Sequence, residues 1–367
     1  MMVRGSTVCI MAIKINVKDL QKVLQVTPPE QNIMLTGRHG IGKSQILAKH
    51  FTALGNKVVI LFLGQMSDPG DLIGLPRMDE ATGKTDFMPP YWFPVDGKPV
   101  VLFLDELNRA RPEVLQTIMD LTLNRTLAGK RLPEGSRIIS AVNDGEEYQL
   151  TDLDPALVSR FNIYEFRPTV QEWLLWAAQN GIDGHVIDFI SENPDMLDGA
   201  AFVREDQGLE KSPDRRGWER VSKILVGNGM QPFLKTVIAG IIGMPAATKF
   251  FAFLSNNRLL SAKDILLNNA FSKKKDTLRK YSTPDLATVN DSLFRFIETE
   301  SYPKEDTAKV AKNLSAYFDM LIAENLREAA AHFANVYSST GYPNALVFII
   351  TNAPDLYKRI TGFIKSI

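Results

Sequence analysis

The sequence predicts an α/β domain built on a parallel, doubly wound sheet, followed by an all-helical portion. Three observations carry this expectation. Gly37-Arg38-His39-Gly40-Ile41-Gly42-Lys43-Ser44 meets the phosphate-loop spacing G-x-x-x-x-G-K-[ST] at every fixed position, with an apolar run before it and a helical one after. Five strand-sized runs, Asn32–Thr36, Lys57–Leu63, Val100–Leu104, Arg137–Ala141 and Asn162–Phe166, alternate with helical patterns. Most are nearly continuous in apolar residues, as strands covered by helices on both faces are. After Arg167-Pro168 only helical spacing remains, as in Val170, Trp173, Leu174 and Ala177.

Taken in order, the chain opens with Arg4 and an apolar patch, Val8 to Ile13, interrupted by Lys14. It lacks a small-residue cleavage site, so it reads as a leader or an alternative start at Met11 rather than a signal peptide. Asn16–Val26 is an amphipathic helix stopped by Pro28-Pro29. Residues 64–99 form a long Gly- and Pro-rich stretch read as a structureless loop of functional kind, with a hairpin turn at Ala81–Thr85. A second hairpin is expected at Asn124–Arg131. The expected division is 1–30, leader and helix; 31–167, nucleotide-binding domain; 168–270, helical lid; and 271–367, helical extension.

At 367 residues, the chain holds more than one ordinary core. Its 42 basic and 42 acidic residues cancel, so no overall field draws it to nucleic acid or an anionic membrane. No apolar run approaches membrane-span length, and the single cysteine, Cys9, excludes an internal disulfide framework. Cytoplasmic residence is the expectation. The four histidines, His39, His50, His185 and His332, lack metal-ligand spacing. Lys273-Lys274-Lys275 with Arg279-Lys280 is the most basic patch; without interleaved aromatics it reads as a solvated loop.

The chemistry-bearing residues follow from the phosphate loop. Its glycines let successive N–H groups face a phosphate, Lys43 reaches the β- and γ-oxygens, and Ser44 suits Mg²⁺. The binding stretch is Gly37 to Ser44 with Gln45 opening the helix. Val100–Leu104 ends in Asp105-Glu106; a buried strand seldom ends in paired acids without a partner for their charge. Asp105 would hold the metal and Glu106 would polarise the attacking water. Asn143 ends another apolar strand, where an open α/β sheet places ligands, and suits positioning that water. Arg160, closing a short helix at Asp154–Phe161, suits either a salt bridge or a γ-phosphate contact. Ser212 is a plausible cap and Pro213 the first residue of a helix carrying Arg215 and Arg216 near Trp218, either a solvated basic turn or a γ-phosphate sensor.

In this order the motifs resemble those of the AAA+ ATPases, within them the MoxR-like, dynein-related branch, over about Asn32 to Val226. Gly37–Ser44 matches Walker A, Leu102–Glu106 Walker B, Asn143 sensor 1, and Arg160 the arginine finger. Met66–Gly74 with Pro89-Pro90-Tyr91-Trp92 resembles the helix-2 insert, and Asn124–Leu132 the hairpin before sensor 1. Sensor 2 in this family is usually a Ser/Thr-Pro-Arg step before a Trp. Asp214 interrupts it here, so Arg216 is the better match and Arg215 an alternative. The resemblance implies a P-loop NTPase fold, ATP and Mg²⁺ as cofactors, and a ring, typically a hexamer, with Arg160 acting in trans. It also implies chaperone-like remodelling of a protein client, often with a partner bearing a von Willebrand factor A domain and its metal-adhesion site. Beyond about residue 270 nothing specific carries over. Two rival readings on the same residues are a nucleic-acid motor or loader and a non-hydrolysing nucleotide switch.

Overall fold

The computed structural model describes residues 13–143, 153–199, 211–228, 233–256, 259–269 and 271–366. The leader expected at residues 1–12, with Cys9 and Met11, lies outside them. The chain divides into two compact units, Met1–Thr169 and Val170–Ile367.

The first unit is a six-stranded parallel sheet with helices on both faces. Its elements in chain order are β1 (Ile13–Ile15), α1 (Val17–Val26), β2 (Asn32–Gly37), α2 (Lys43–Ala53), β3 (Lys57–Phe62), α3 (Gly70–Ile73), β4 (Leu75–Asp79), β5 (Lys84–Met88), β6 (Val100–Asp105), α4 (Pro112–Asn124), β7 (Thr126–Leu127), β8 (Lys130–Arg131), β9 (Arg137–Asn143), α5 (Pro155–Val158) and β10 (Phe161–Phe166). The sheet order is β1-β10-β2-β9-β6-β3, and β4-β5 and β7-β8 are separate antiparallel hairpins. The alternation of side chains along each strand sorts the core into two layers. Met34, Leu102, Leu104 and Ile138 pack with Val114, Ile118 and Leu121 of α4. Ile33, Leu35, Val101, Phe103, Ile139 and Ala141 face the other way, onto Leu20 and Leu24 of α1 and Leu47 and Phe51 of α2. Val100–Asp105 is buried along its whole length, which is why it reads as an uninterrupted apolar run.

Two expectations change here. The sheet has six strands rather than five, because Ile13–Ile15 pairs in parallel with Tyr164–Phe166. Three residues are too short to signal a strand, and Lys14, which broke the apolar patch, is tolerable on an edge. The stretch 64–99 is structured rather than a bare loop. It holds a 3₁₀ turn at Leu63–Gln65, α3 and the β4-β5 hairpin, and is anchored by the buried Trp92 and Phe93. Both expected hairpins are present, and Lys130 joins them through an ion pair to Asp86 at 3.0 Å.

The second unit is helical throughout its described residues. It carries two hydrophobic clusters, one running from Trp173 to Phe250 and one from Ala262 to Ile360. In the first, Trp218 is fully buried among Phe189 and Phe250, and its indole donates to the Met196 carbonyl at 2.8 Å. In the second, the Tyr317 hydroxyl donates to Asn290 Oδ1 at 2.8 Å. Full burial pushes that phenol's pKa far up, so it stays a donor at every physiological pH. The basic run at Lys273 is helical, within Ser272–Leu278, rather than a loop. Two of its charges are locally answered: Lys275 and Arg279 both pair with Glu324, and Arg279 also with Asp276.

Candidate active site

The site is assembled where β2, β9 and β6, adjacent in the sheet, reach their carboxyl ends. Register places Gly37 beside Asn143. Between β2 and α2 the chain turns through residues 38–42, and Gly42, the N-cap of α2, has φ +93°, a conformation that favours glycine. A side chain on Gly37 would put its Cβ 2.8 Å from the Phe166 carbonyl oxygen, so that position too admits little else. Arg38, His39 and Gln45 are exposed, Gly40 is half-buried, and Ile41 anchors the loop in the core beneath.

Lys43 is buried, and its ammonium is compensated by three acceptors: Gly37 O at 2.5 Å, Arg38 O at 3.0 Å and Asn143 Oδ1 at 2.9 Å. A buried charge is tolerable only with such partners. Asn143, at 3% exposure, is itself held by Asn108, whose Nδ2 donates to the Asn143 carbonyl at 3.0 Å. Ser44 Oγ donates to Asp105 Oδ2 at 2.8 Å, bringing two hard oxygen donors together. Asp105 Oδ1 accepts from the Glu106 N–H at 2.9 Å. Glu106 turns out of the strand with φ +56°, unusual for a glutamate, and its Oε1 accepts from Arg109 Nη1 at 2.9 Å. Gly64, which opens the 64–99 stretch, lies against this pair: a Cβ there would sit 2.9 Å from Glu106 Oε2.

The sheet therefore gathers Lys43, Ser44, Asp105, Glu106 and Asn143 at one end. Arg160 is not among them. It directly precedes Phe161, which pairs with Asn32 at the amino end of β2, so a full strand of roughly 17 Å separates it from the phosphate loop. There its Nη1 donates to the Met119 carbonyl of α4 at 3.2 Å.

In the second unit, α8 (Arg215–Asn228) begins after Asp214, whose side chain accepts from the Gly217 N–H. The cap is Asp214, not Ser212, and the helix starts two residues later than expected from Pro213. That is the local reason an aspartate interrupts the Ser-Pro-Arg step. Arg215 is buried and makes a two-pronged bond to Asp198, both contacts at 2.9 Å, whereas Arg216 is exposed. Sequence reading did not single out Asn108, Arg109 or Asn32. The signal for the first two is their position, a polar pair in the turn that leaves a buried strand.

Residues 32–161 match the family model described as AAA domain, dynein-related subfamily. This segment is an AAA ATPase domain. The chain is also 26% identical over 174 residues to the candidate chaperone BssE of Thauera aromatica, covering 44% of this chain and 59% of that protein. It thus spans little more than half of that relative's length. Among solved structures, the RuvB Holliday junction branch migration motor of Thermotoga maritima is 16% identical, with a TM-score of 0.37 over 72% of this chain and 75% of that one. NtrX from Brucella abortus in complex with ADP is 13% identical, with a TM-score of 0.38 over 88% of this chain and 70% of that one. At these identities and scores the two say nothing about what this chain acts on. Among the described residues, no helix is long and apolar enough to cross a membrane.

Proposed function

We propose that this AAA ATPase works as an oligomeric ring, typically a hexamer, that converts ATP hydrolysis into remodelling of a protein client. The single observation that supports this best is the opposed placement of two sets of groups. The phosphate-handling residues lie at the carboxyl end of the sheet and Arg160 at its amino end, so a complete site needs a neighbouring subunit.

In this reading the N–H groups of Gly37 to Ser44 and Gln45 cradle the phosphates, and Lys43 exchanges its carbonyl partners for β- and γ-oxygens. Ser44 and Asp105 are the residues that would hold Mg²⁺. Their touching oxygens fit a hard cation that takes one or two protein ligands and leaves its remaining positions to phosphate and water. Among the described residues no cluster of three or more His, Cys, Asp or Glu offers an all-protein cage, which suits a metal that arrives with the nucleotide. When bound, the ion neutralises charge on the transferring phosphoryl group. Glu106 accepts the proton of the attacking water at a carboxylate oxygen, and Asn143, fixed by Lys43 and Asn108, orients that water. Arg160 reaches the γ-phosphate of the adjacent subunit. Arg216, two residues before Trp218, is the γ-phosphate sensor of the helical portion, with Arg215 the alternative.

Residues 31–167 would form the nucleotide-binding domain after the leader and helix of 1–30, with 168–270 as the lid and 271–367 as a helical extension; the inserts at 66–92 and 124–132 would face the ring pore or the partner. A chaperone-named relative favours a protein client. The cancelling 42 basic and 42 acidic residues, and the pairing of Lys275 and Arg279 with acids, weigh against a nucleic-acid track. A partner with a von Willebrand factor A domain, and work in the cytoplasm, complete the proposal.

The test is a pull-down with Glu106→Gln held in ATP, alongside mass measurement of the assembly. Retention of a defined protein partner by the ATP-held ring supports the reading. An assembly that stays monomeric in ATP, or whose turnover is driven only by added DNA or RNA, would sink it.

A further inference from the structure

We propose that Asn32 is a positioning residue for Arg160, clamping the arginine's backbone to the end of α4 and so fixing where its guanidinium is offered to a neighbouring subunit. The proposal rests on the reading of Arg160 as a group acting in trans.

Asn32 opens β2, and its side chain is buried, at 4% exposure. Its amide nitrogen donates to two main-chain carbonyls remote from it in sequence, Thr122 O at 2.9 Å and Arg160 O at 3.1 Å. Two acceptors fix the orientation of the amide, because turning it over would set its oxygen against both carbonyls. Asn32 Oδ1 is then left buried with no hydrogen-bond partner. An unpaired buried acceptor is costly, and an aliphatic residue opening a buried parallel strand would avoid that cost. What the amide contributes is therefore its two donated bonds.

Those bonds join three elements. Thr122 O belongs to the closing turn of α4, where carbonyls run out of intrahelical donors. Arg160 O belongs to the turn between α5 and β10. The Arg160 guanidinium rests on the same helix, through Met119 O. Besides the local bond of its own N–H to the Leu157 carbonyl at 3.1 Å, Arg160 is tied to the last turns of α4 at two points, its carbonyl through Asn32 and its head through Met119. Loss of the first point leaves the turn at residues 159–160 with its local bonds to α5 but without its tie to α4, so its position relative to that helix can shift. Misplacement of a reacting group by about 1 Å is enough to cost about 100-fold in rate.

The experiment uses the full chain carrying Asn32→Leu, with Asn32→Ser as the smaller replacement should the first fail to fold. Either variant alone should lose about ten- to a hundred-fold in turnover while binding ATP within about two-fold of wild type. The deciding measurement is complementation. Glu106→Gln subunits have a dead site but an intact Arg160, so assemblies mixing them with an Asn32 variant should regain turnover. Arg160→Ala mixed with Glu106→Gln is the parallel control. Recovery with Arg160→Ala but not with Asn32 variants, in assemblies of verified mixed composition, would mean that Asn32 acts on its own subunit's phosphate loop, and the proposal fails. Wild-type turnover in the Asn32 variants also overturns it. Recovery in neither mixture removes the trans reading itself, and this proposal with it.

Discussion

The two ends of one parallel sheet are built on different principles. At the carboxyl end, side chains that would handle a phosphate bond one another: Lys43 to Asn143, Ser44 to Asp105. At the amino end, Arg160 and Asn32 spend their polar groups on main-chain carbonyls of α4 and its surroundings. In the first arrangement polar side chains bond one another; on the proposed reading a ligand would take their place. The second is a rigid bracket around one cation. Parallel strands explain the division: all carboxyl ends lie on one side of the sheet and all amino ends on the other, so Arg160 stands a strand's length from the phosphate loop.

The contrast is sharpest at Arg160. Arg160→Ala should lower turnover by about 1,000-fold or more, with ATP affinity of the isolated subunit nearly unchanged, measured by phosphate release and nucleotide titration. A parallel fall in affinity in a monomer would break the division, since it would require the arginine to act within its own subunit. At the other end, Glu106→Gln should cost about 100- to 10,000-fold in turnover and retain ATP binding, because the amide cannot take up the proton. Turnover close to wild type would remove Glu106 from its role.

Gly37→Ala tests the loop's geometry rather than its chemistry. The new methyl meets the Phe166 carbonyl, so ATP affinity should fall and stability drop by about 1–3 kcal/mol, read by nucleotide titration and denaturant unfolding. Tyr317→Phe belongs to neither end. It leaves Asn290 Oδ1 buried without its donor and should cost about 1–3 kcal/mol of the helical unit's stability, with turnover per folded molecule unchanged. The smallest effect is expected at Asp86→Asn. Its ion pair with Lys130 is exposed, so the melting temperature should not move measurably, in low or high salt.

Much of this was legible before any coordinates. The five strands from Asn32 onward, both hairpins and the placing of Ser44, Asp105, Glu106 and Asn143 at a loop or a strand end follow from local patterns: apolar runs, glycine spacing and acids closing a buried strand. The edge strand at Ile13 was not, because three residues with a central lysine carry too little periodicity. Nor were Asn108, Arg109 and Asn32, whose bonds are made across a turn or across the sheet and leave no spacing of their own. Asp214 shows the reverse case: a departure from the Ser-Pro-Arg step that has an ordinary cause, the capping of α8.

The chain's own residues thus determine which chemistry is present, since a phosphate loop and a strand-ending acid pair are local designs whose spacing is their meaning. Only the tertiary structure decides which groups meet. Strand order and register bring Asn143 to Gly37 across positions remote in sequence, and the same parallel register puts Arg160 a strand's length away from both.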